Sequence, residues 1–339
     1  MNRLAIMVIT WNNADDATEC LDSLSKQTKQ DITLLIIDND SKPETVTRLQ
    51  DYVAHNEGID IQLIQTGYNG GTAGGFSAGA QWAIDNNYDY IGTLNADAVA
   101  DSHYVQALYD ELEAYPEAGM ATGKLLRRDG QTIDTTGDFY TTWGLPGPRL
   151  RDKPTSEAPT ESGYIFGSSG GAFLARTAMF KDIGMYDQQY FMYYEDVDIA
   201  FRAQLNGWKA RYTPRAIAYH KLGASAATVP GLAVYNTFKN LPMLFVKNVP
   251  LKLWPAMYPR FILTYTLILG NALKNGRGSY ALKGWAKSWL LVPHMFKERW
   301  KIQKNKTVSA DYINSILLHD IPPEQTGMRK FRAFFTGKQ

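Results

Sequence analysis

The sequence predicts a parallel α/β sheet followed by a basic, aromatic-rich helical segment, and three observations predict it. Up to about Ser225, short apolar runs alternate with stretches of helical spacing. Each run ends in polar residues. Beyond that point the alternation stops and the text turns to Pro, Lys and aromatic residues, as in the stretch Leu241 to Pro250. At 339 residues the chain is long enough for one large domain and an appendage, read as residues 1–225 and 226–339.

The elements follow in order. Leu4 to Ile9 is too short for the apolar core of a secretion signal, has no small-residue cleavage site after it and runs straight into Asn12 and Asn13, so it reads as a first buried strand. Ile32 to Ile37, Ile59 to Ile64 and Tyr88 to Leu94 read as the next three. Between them Ala17/Leu21/Leu24, Phe76/Ala80/Ala83/Ile84 and Tyr104/Leu108/Leu112 recur at helical spacing and form core-facing stripes. The single cysteine, Cys20, shares the first stripe, which makes it a small core residue, excludes a disulfide framework and points to a reducing compartment. Open α/β sheets bind ligands at the carboxyl ends of their strands. Here those ends are Thr10-Trp11-Asn12, Asp38-Asn39-Asp40-Ser41, Asn69 with its glycines, and Asn95-Ala96-Asp97, four polar strand ends expected on one edge.

Four stretches could carry chemistry. In Phe191 to Arg202, the carboxylates Glu195, Asp196 and Asp198 open a helix directly behind large apolar and aromatic residues. Such a site can hold a proton acceptor in a partly dry pocket. Acidic residues are equally favoured there by the helix dipole, and Asp198 and Arg202, four apart, can pair on the surface. The loop Gly67 to Gly79 follows the third strand and opens a helix, which suits a backbone that must approach phosphate or ribose; tight helix-to-strand packing explains the glycines as well. No register gives the dinucleotide fingerprint, and Phe76 stands where a P-loop needs Lys, so hydride-transfer and ATPase chemistry are disfavoured. Asp97 projects from a strand end where a hard divalent ion could bridge it to a diphosphate. His220 follows an apparent strand at Ala216 to Tyr219 and, taken alone, is as readily a packed residue as a ligand.

The net charge of +1 conceals a segregation along the chain. From Lys239 to Lys306 there are thirteen basic residues against Glu298 alone, a local +12 that leaves −11 elsewhere. Trp254, Trp285, Trp289 and Trp300 lie in the same segment, a composition suited to helices in a membrane interface, with nucleic acid as the competing partner and an ordinary basic helical subdomain as the plain alternative. The longest apolar run, Phe261 to Gly270, is about half the roughly 20 residues of a spanning helix, and Pro255, Pro259 and Arg260 interrupt its approach, so peripheral attachment is expected rather than spanning.

Together these motifs resemble the nucleotide-sugar glycosyltransferases of family 2, which have the GT-A fold, an α/β Rossmann-like architecture. The likeness runs from about Leu4 to Ser225 and is carried by Val8 to Asn12, Ile37 to Ser41, Asn69 to Gly75, Leu94 to Asp97, Gly167 to Gly171, and Asp187 to Arg202 followed by Pro214 and His220. It is nearest to bacterial rhamnosyltransferases that read Phe-x-x-x-x-Phe-x-x-x-Glu-Asp-x-Asp, with Tyr186 here in place of the first Phe; the glycine loop ending in Phe76 is also similar to galactofuranosyltransferases.

The resemblance implies a nucleotide-sugar site at Thr10, Trp11, Asn12, Asp38, Asp40, Asn69, Gly71, Gly75, Asn95 and Asp97. It makes Asp97 and His220 ligands of Mg²⁺ or Mn²⁺, Asp196 the base, and Glu195, Ser169, Gly170 and Trp143 the acceptor side. Asn95 stands where many members have Asp, and Trp11 where Tyr is usual, which still supplies a stacking face. The implied activity is inverting transfer from dTDP-L-rhamnose, with a UDP-sugar such as UDP-galactofuranose second, to a lipid-linked or cell-surface glycan. The implied setting is cytoplasmic, peripheral at the inner face of the cell membrane, with an anionic membrane surface and no nucleic acid as partners and a homo-oligomer left open. The rival from another class is a non-catalytic, membrane-tethered module that binds glycan or nucleotide-sugar.

Overall fold

A computed structural model of the chain describes residues 2–56, 58–221 and 229–321. The expected domain boundary near Ser225 lies outside the described residues. The first half alternates as its hydrophobic pattern requires: β1 (Leu4–Thr10), α1 (Ala14–Leu24), β2 (Ile32–Asp38), α2 (Pro43–His55), β3 (Ile61–Gln65), α3 (Gly71–Asp85) and β4 (Tyr90–Leu94). Short pieces follow: β5 (Ala98–Ala100), α4 (Tyr104–Ala114), β6 (Ala118–Arg127), β7 (Ile133–Thr135), β8 (Asp138–Tyr140), β9 (Pro146–Pro148) and β10 (Gly163–Ile165). Then come β11 (Ala172–Arg176), α5 (Thr177–Ile183), α6 (Glu195–Leu205) and β12 (Lys209–His220). The chain then becomes helical: α7 (Leu232–Asn248), α8 (Trp254–Lys274), α9 (Gly278–Leu290), α10 (Val292–Asn305) and α11 (Ala310–Ile316).

The main sheet runs β10-β12-β6-β11-β4-β1-β2-β3, with β5 added on β12 and β7 on β6. β3, β2, β1 and β4 are parallel, and the order reverses between β1 and β4, the crevice where such sheets hold ligands. The sheet is mixed rather than purely parallel, because β11 runs antiparallel to both β4 and β6. Strand direction leaves no mark in hydrophobic periodicity, so this reversal was not readable from the sequence.

Alternation along β1 builds the two layers. Leu4, Ile6 and Val8 pack with α1, α2 and α4, and Cys20 is buried among them as its stripe requires. Ala5 and Met7 face the opposite layer. That layer is one continuous apolar cluster containing Phe76 of α3, Phe201 of α6 and Phe238, Leu241, Leu244 and Phe245 of α7. The helices after residue 229 therefore share a core with the sheet.

α8 runs for 21 residues through Pro255 and Pro259, both of which were expected to precede it. Pro255 sits where the missing N–H costs nothing, at the first turn of the helix. No helix among the described residues is long and apolar enough to cross a membrane.

Candidate active site

The start of α6 is set by an unusual turn. Phe191 has φ +61° and ψ −63°, and both Tyr193 and Tyr194 have φ +70°, so three of the four residues before Glu195 lie in the left-handed half of backbone space. Phe191 is the centre of a γ-turn closed by the Met192 N–H donating to the Tyr190 carbonyl at 2.7 Å, a rare and strained form. Such a turn persists only where its surroundings hold it, and two helices do so.

From one side, the start of α3 grips the Phe191 carbonyl. The Ala73 N–H donates to it at 3.0 Å. Gly71 has φ +65°, and a Cβ there would lie 2.1 Å from that carbonyl oxygen, so only glycine fits. From the other side, the Asn240 amide of α7 donates to the carbonyls of Tyr190, Met192 and Tyr193 at 3.1, 2.9 and 2.8 Å. Lys239 Nζ donates to Tyr190 at 3.0 Å, and burial lowers this ammonium to about 8.

This corrects the reading of the glycine loop. The N–H groups at the start of α3 that were expected to approach phosphate are largely taken by protein: Gly70 donates to Asn39 Oδ1 at 3.1 Å, Gly71 to Asn69 Oδ1 at 2.9 Å and Ala73 to Phe191. Gly75 is buried, and a Cβ would lie 2.8 Å from the Ile9 side chain, so glycine there serves helix-to-strand packing.

Asp196 leaves this turn inside the protein. Its Oδ2 accepts the Gly170 N–H at 3.1 Å, and its Oδ1 accepts the Val197 N–H at 2.8 Å. A Cβ at Gly170 would lie 2.6 Å from Oδ2, so the Ser168 to Gly171 segment meets the carboxylate because residue 170 is glycine. Behind it is a void of about 10 Å³ walled by Phe173, Phe180, Tyr186 and Ile199. Burial raises Asp196 above the usual carboxylate range against the pull of those two N–H groups. Glu195 is buried too. Burial first, then the Asp196 charge, push it up to about 8, although the Thr72 hydroxyl donates to its Oε1. Its Oε2 has no hydrogen-bond partner among the described residues.

Asp198, two residues on, belongs to a different environment. Arg202 Nε donates to it at 2.9 Å, Lys247 Nζ lies at 3.0 Å, Asn248 Nδ2 donates at 2.8 Å and the Tyr190 hydroxyl at 3.1 Å. Burial opposes its charge, but Lys247 and Arg202 outweigh it and hold the carboxyl below its ordinary range. The expected pairing with Arg202 is present, but it is buried rather than on the surface. Lys247 also meets Asp187 at 2.7 Å, and His294 of α10 meets Asp187 at 2.8 Å. A cavity of about 540 Å³ opens over Asp187, Lys247 and His294, away from Asp196.

At the carboxyl edge of β4 the structure brings Asp97 and His220 together across 123 residues of sequence, with His220 Nε2 2.9 Å from Asp97 Oδ1. His220 Nδ1 lies 2.8 Å from Asp134 Oδ2, and Asn95 Nδ2 lies 3.2 Å from Nε2. Burial works against an imidazolium, yet the Asp134 and Asp97 carboxylates push His220 up to about 9. Arg151 closes the group with Nη2 2.9 Å from Asp134 Oδ1.

Among the described residues no cluster of three or more His, Cys, Asp and Glu side chains is placed to hold a metal. The pair nevertheless fits a divalent ion shared with a substrate. Metal bonds of 2.0–2.1 Å at right angles put neighbouring ligand atoms about 3 Å apart, as Oδ1 and Nε2 are. Asp134 on the far ring nitrogen is placed as the carboxylate that would orient His220 as a ligand.

The remaining expected residues line the ends of β1 and β2. Thr10 and Asp38 are buried, Asn12 and Asp40 are exposed with φ +57° and +66°, and Trp11 is half-buried. Thr10 Oγ1 donates to Asn13 Oδ1 at 2.6 Å, and Ser41 N donates to Asp38 Oδ1 at 3.3 Å. Asn39, in the polar strand end Asp38 to Ser41, joins the loops by donating to Asn69 Oδ1 at 3.2 Å and to the Gly71 carbonyl at 3.0 Å. Ser169 shapes the turn beneath Gly171 through a 3.3 Å hydrogen bond. Trp143 lies against α8, its carbonyl 3.3 Å from the Thr264 hydroxyl and its ring 5.7 Å from the Arg260 guanidinium.

The mixed α/β sheet, with its strand-order reversal and polar strand ends, has the GT-A architecture of nucleotide-sugar transferases. The family model described as glycosyl transferase family 2 matches residues 5–184, and the chain belongs to that family. An N-acetylglucosaminyl-diphospho-decaprenol L-rhamnosyltransferase of Mycobacterium tuberculosis is 27% identical over 257 residues, covering 67% of this chain and 78% of that protein. A low-salt glycan biosynthesis hexosyltransferase of Haloferax volcanii is 22% identical over 209 residues, 60% of this chain and 62% of that one.

Among solved structures, a mannosyltransferase of Pyrobaculum calidifontis with GDP-Man and Mn²⁺ superposes with a TM-score of 0.54 at 14% identity, covering 93% of this chain and 85% of that one. GalNAc-T7 with UDP, GalNAc and Mn²⁺ superposes with a TM-score of 0.57 at 15% identity, covering 73% and 48%. These likenesses concern the fold.

Proposed function

We propose that this glycosyltransferase moves L-rhamnose from dTDP-L-rhamnose, with inversion, to a hydroxyl of a lipid-linked glycan at the cytoplasmic face of a membrane, and that Asp196 is its base. The observation that carries the assignment is the buried Asp196 carboxylate, held by the Gly170 N–H and pushed up by burial, beside the carboxyl edge of the sheet. A raised carboxylate accepts a proton more readily, and the two N–H groups fix its orientation.

Asp196 Oδ takes the proton of the acceptor hydroxyl while that oxygen attacks the anomeric carbon from the face opposite the nucleotide. The bond to the diphosphate oxygen breaks as the new glycosidic bond forms, and the anomeric configuration inverts. Asp97 and His220 would hold Mg²⁺ or Mn²⁺, which supplies neutralisation of the charge on the departing diphosphate. Arg151 adds a fixed positive charge to the same edge. Phe191, Tyr193 and Tyr194 limit water that would otherwise hydrolyse the donor. Trp11 offers a face for the base, with Asp38 near the ribose. Neutral Glu195 flanks the acceptor. The choice of rhamnose is supported by the M. tuberculosis relative; UDP-galactofuranose is the second donor.

The test is a panel of dTDP- and UDP-sugars read by nucleoside diphosphate release, with and without EDTA. dTDP-L-rhamnose should give the highest release, EDTA should abolish it and Mn²⁺ should restore it. Chelator-insensitive release would remove Asp97 and His220 from the metal, and preference for a UDP-sugar would replace the donor.

A further inference from the structure

Thirteen of the seventeen exposed large apolar side chains among the described residues lie between Leu251 and Trp300. α9 is built inside out. Its buried side is Gly278, Ala281, Gly284 and Ser288, and a Cβ at Gly284 would lie 2.2 Å from the Tyr235 carbonyl of α7. Small residues let α9 lie close on α7, while Leu282, Trp285, Trp289 and Leu290 point outward, the last two 62% and 75% exposed. α8 turns Met257, Phe261 and Tyr265 inward and leaves Ile262, Leu263, Leu267 and Leu273 outside, with no charged residue from Phe261 to Leu273. On α10, Phe296 and Trp300 are exposed as well. Exposed apolar side chains gathered on three successive helices mark a docking surface.

Charge selects the occupant. Lys274, Arg277, Lys283, Lys287, Lys297 and Lys304 are exposed around these aromatics, in a segment of net charge +12. A second copy would set these exposed cations against the same cations. An anionic lipid surface attracts each of these cations while the interface accepts the Trp rings.

We propose that α8, α9 and α10 lie in the interface of an anionic bilayer, without crossing it, and carry the acceptor side of the site to lipid-linked substrate. The clause about substrate rests on the acceptor class proposed above; the docking itself does not. α8 joins these helices to the proposed site: the Thr264 hydroxyl lies 3.3 Å from the Trp143 carbonyl, the Tyr265 hydroxyl donates to the Phe238 carbonyl of α7 at 2.8 Å, and α7 holds the strained turn before Glu195 through Lys239 and Asn240.

The test is flotation of the full chain with vesicles of phosphatidylcholine alone or mixed with phosphatidylglycerol. The protein should float with the anionic vesicles only, and less so at high salt. The pair Trp285→Ser with Trp289→Ser and the pair Lys283→Glu with Lys287→Glu should each lower the bound fraction by roughly tenfold or more, while the thermal shift given by dTDP stays unchanged. Folded wild-type protein that ignores anionic vesicles overturns the proposal. So does a dimer in light scattering that either pair converts to monomer, since the face would then join two copies. Flotation needs neither donor nor acceptor, so its failure leaves the proposed transfer standing, and absent transfer with intact flotation counts against that reading alone.

Discussion

Asp196 and Asp198 stand two residues apart on one helix, and the protein treats them in opposite ways. Asp198 is met by Arg202, Lys247, Asn248 and Tyr190, and its carboxyl is held low. Asp196 is met by two backbone N–H groups and an apolar wall, and its carboxyl is held high. Burial is common to both, so burial alone does not decide a carboxylate's role. The supply of cations does. A fully compensated carboxylate is an anchor; one that is buried, oriented and short of cations is ready to accept a proton.

The largest stability effect expected from this contrast is at the anchor. Asp198→Asn keeps the shape but leaves Arg202 and Lys247 facing a neutral amide in the interior, so it should cost about 3–5 kcal/mol, the range for breaking a buried pair from one side. Chemical unfolding measures it, and a loss below about 1 kcal/mol would mean that Asp187 alone satisfies Lys247.

Next is the clamp that joins the two carboxylates' surroundings. Asn240→Ala removes three hydrogen bonds from the strained turn. It should cost about 1–3 kcal/mol and lower kcat while leaving nucleotide binding unchanged, because α7 holds the turn on the proposed acceptor side and does not touch the proposed donor edge. Equal loss of nucleotide binding would show that the turn orders both.

The smallest effect is a pH dependence. Glu195 is raised from its ordinary value to about 8 in the folded protein. The folded state therefore keeps a proton that the unfolded chain releases, and the stability this adds is full below about pH 4.5 and is lost as pH rises through about 8. Glu195→Gln should flatten the fall in Tm across that window. An unchanged slope would place the raised carboxyl elsewhere.

Much of this was legible in the sequence, for physical reasons. The strands and helices up to β4 each carry a hydrophobic period of their own, and Asp196, Asp97 and His220 sit in motifs that a family resemblance joins. Cys20 and the inward stripes of α1, α3 and α4 fell where spacing put them. The direction of β11 and the burial of the Asp198 pair depend on tertiary packing and left no periodic trace. Asp134 was missed because β7 is three residues long and matches no motif, although an Asp between Ile133 and Thr135 in alternation was a faint sign. The Lys239-Asn240 clamp had a better one: two polar residues between Phe238 and Leu241 on the apolar face of α7. The glycine loop could not be resolved from sequence, because tight packing and phosphate approach call for the same residue.

The most direct test of the contrast is to compare Asp196→Asn and Asp198→Asn side by side for sugar transfer and for Tm. Asp196→Asn should lower turnover by on the order of 10² to 10⁴, the range for a positioned base, with Tm and dTDP binding nearly unchanged. Asp198→Asn should lower Tm strongly and, in the protein that remains folded, keep most of its turnover. Full activity in Asp196→Asn, or a turnover loss shared equally by the two variants, would contradict the assignment of the base.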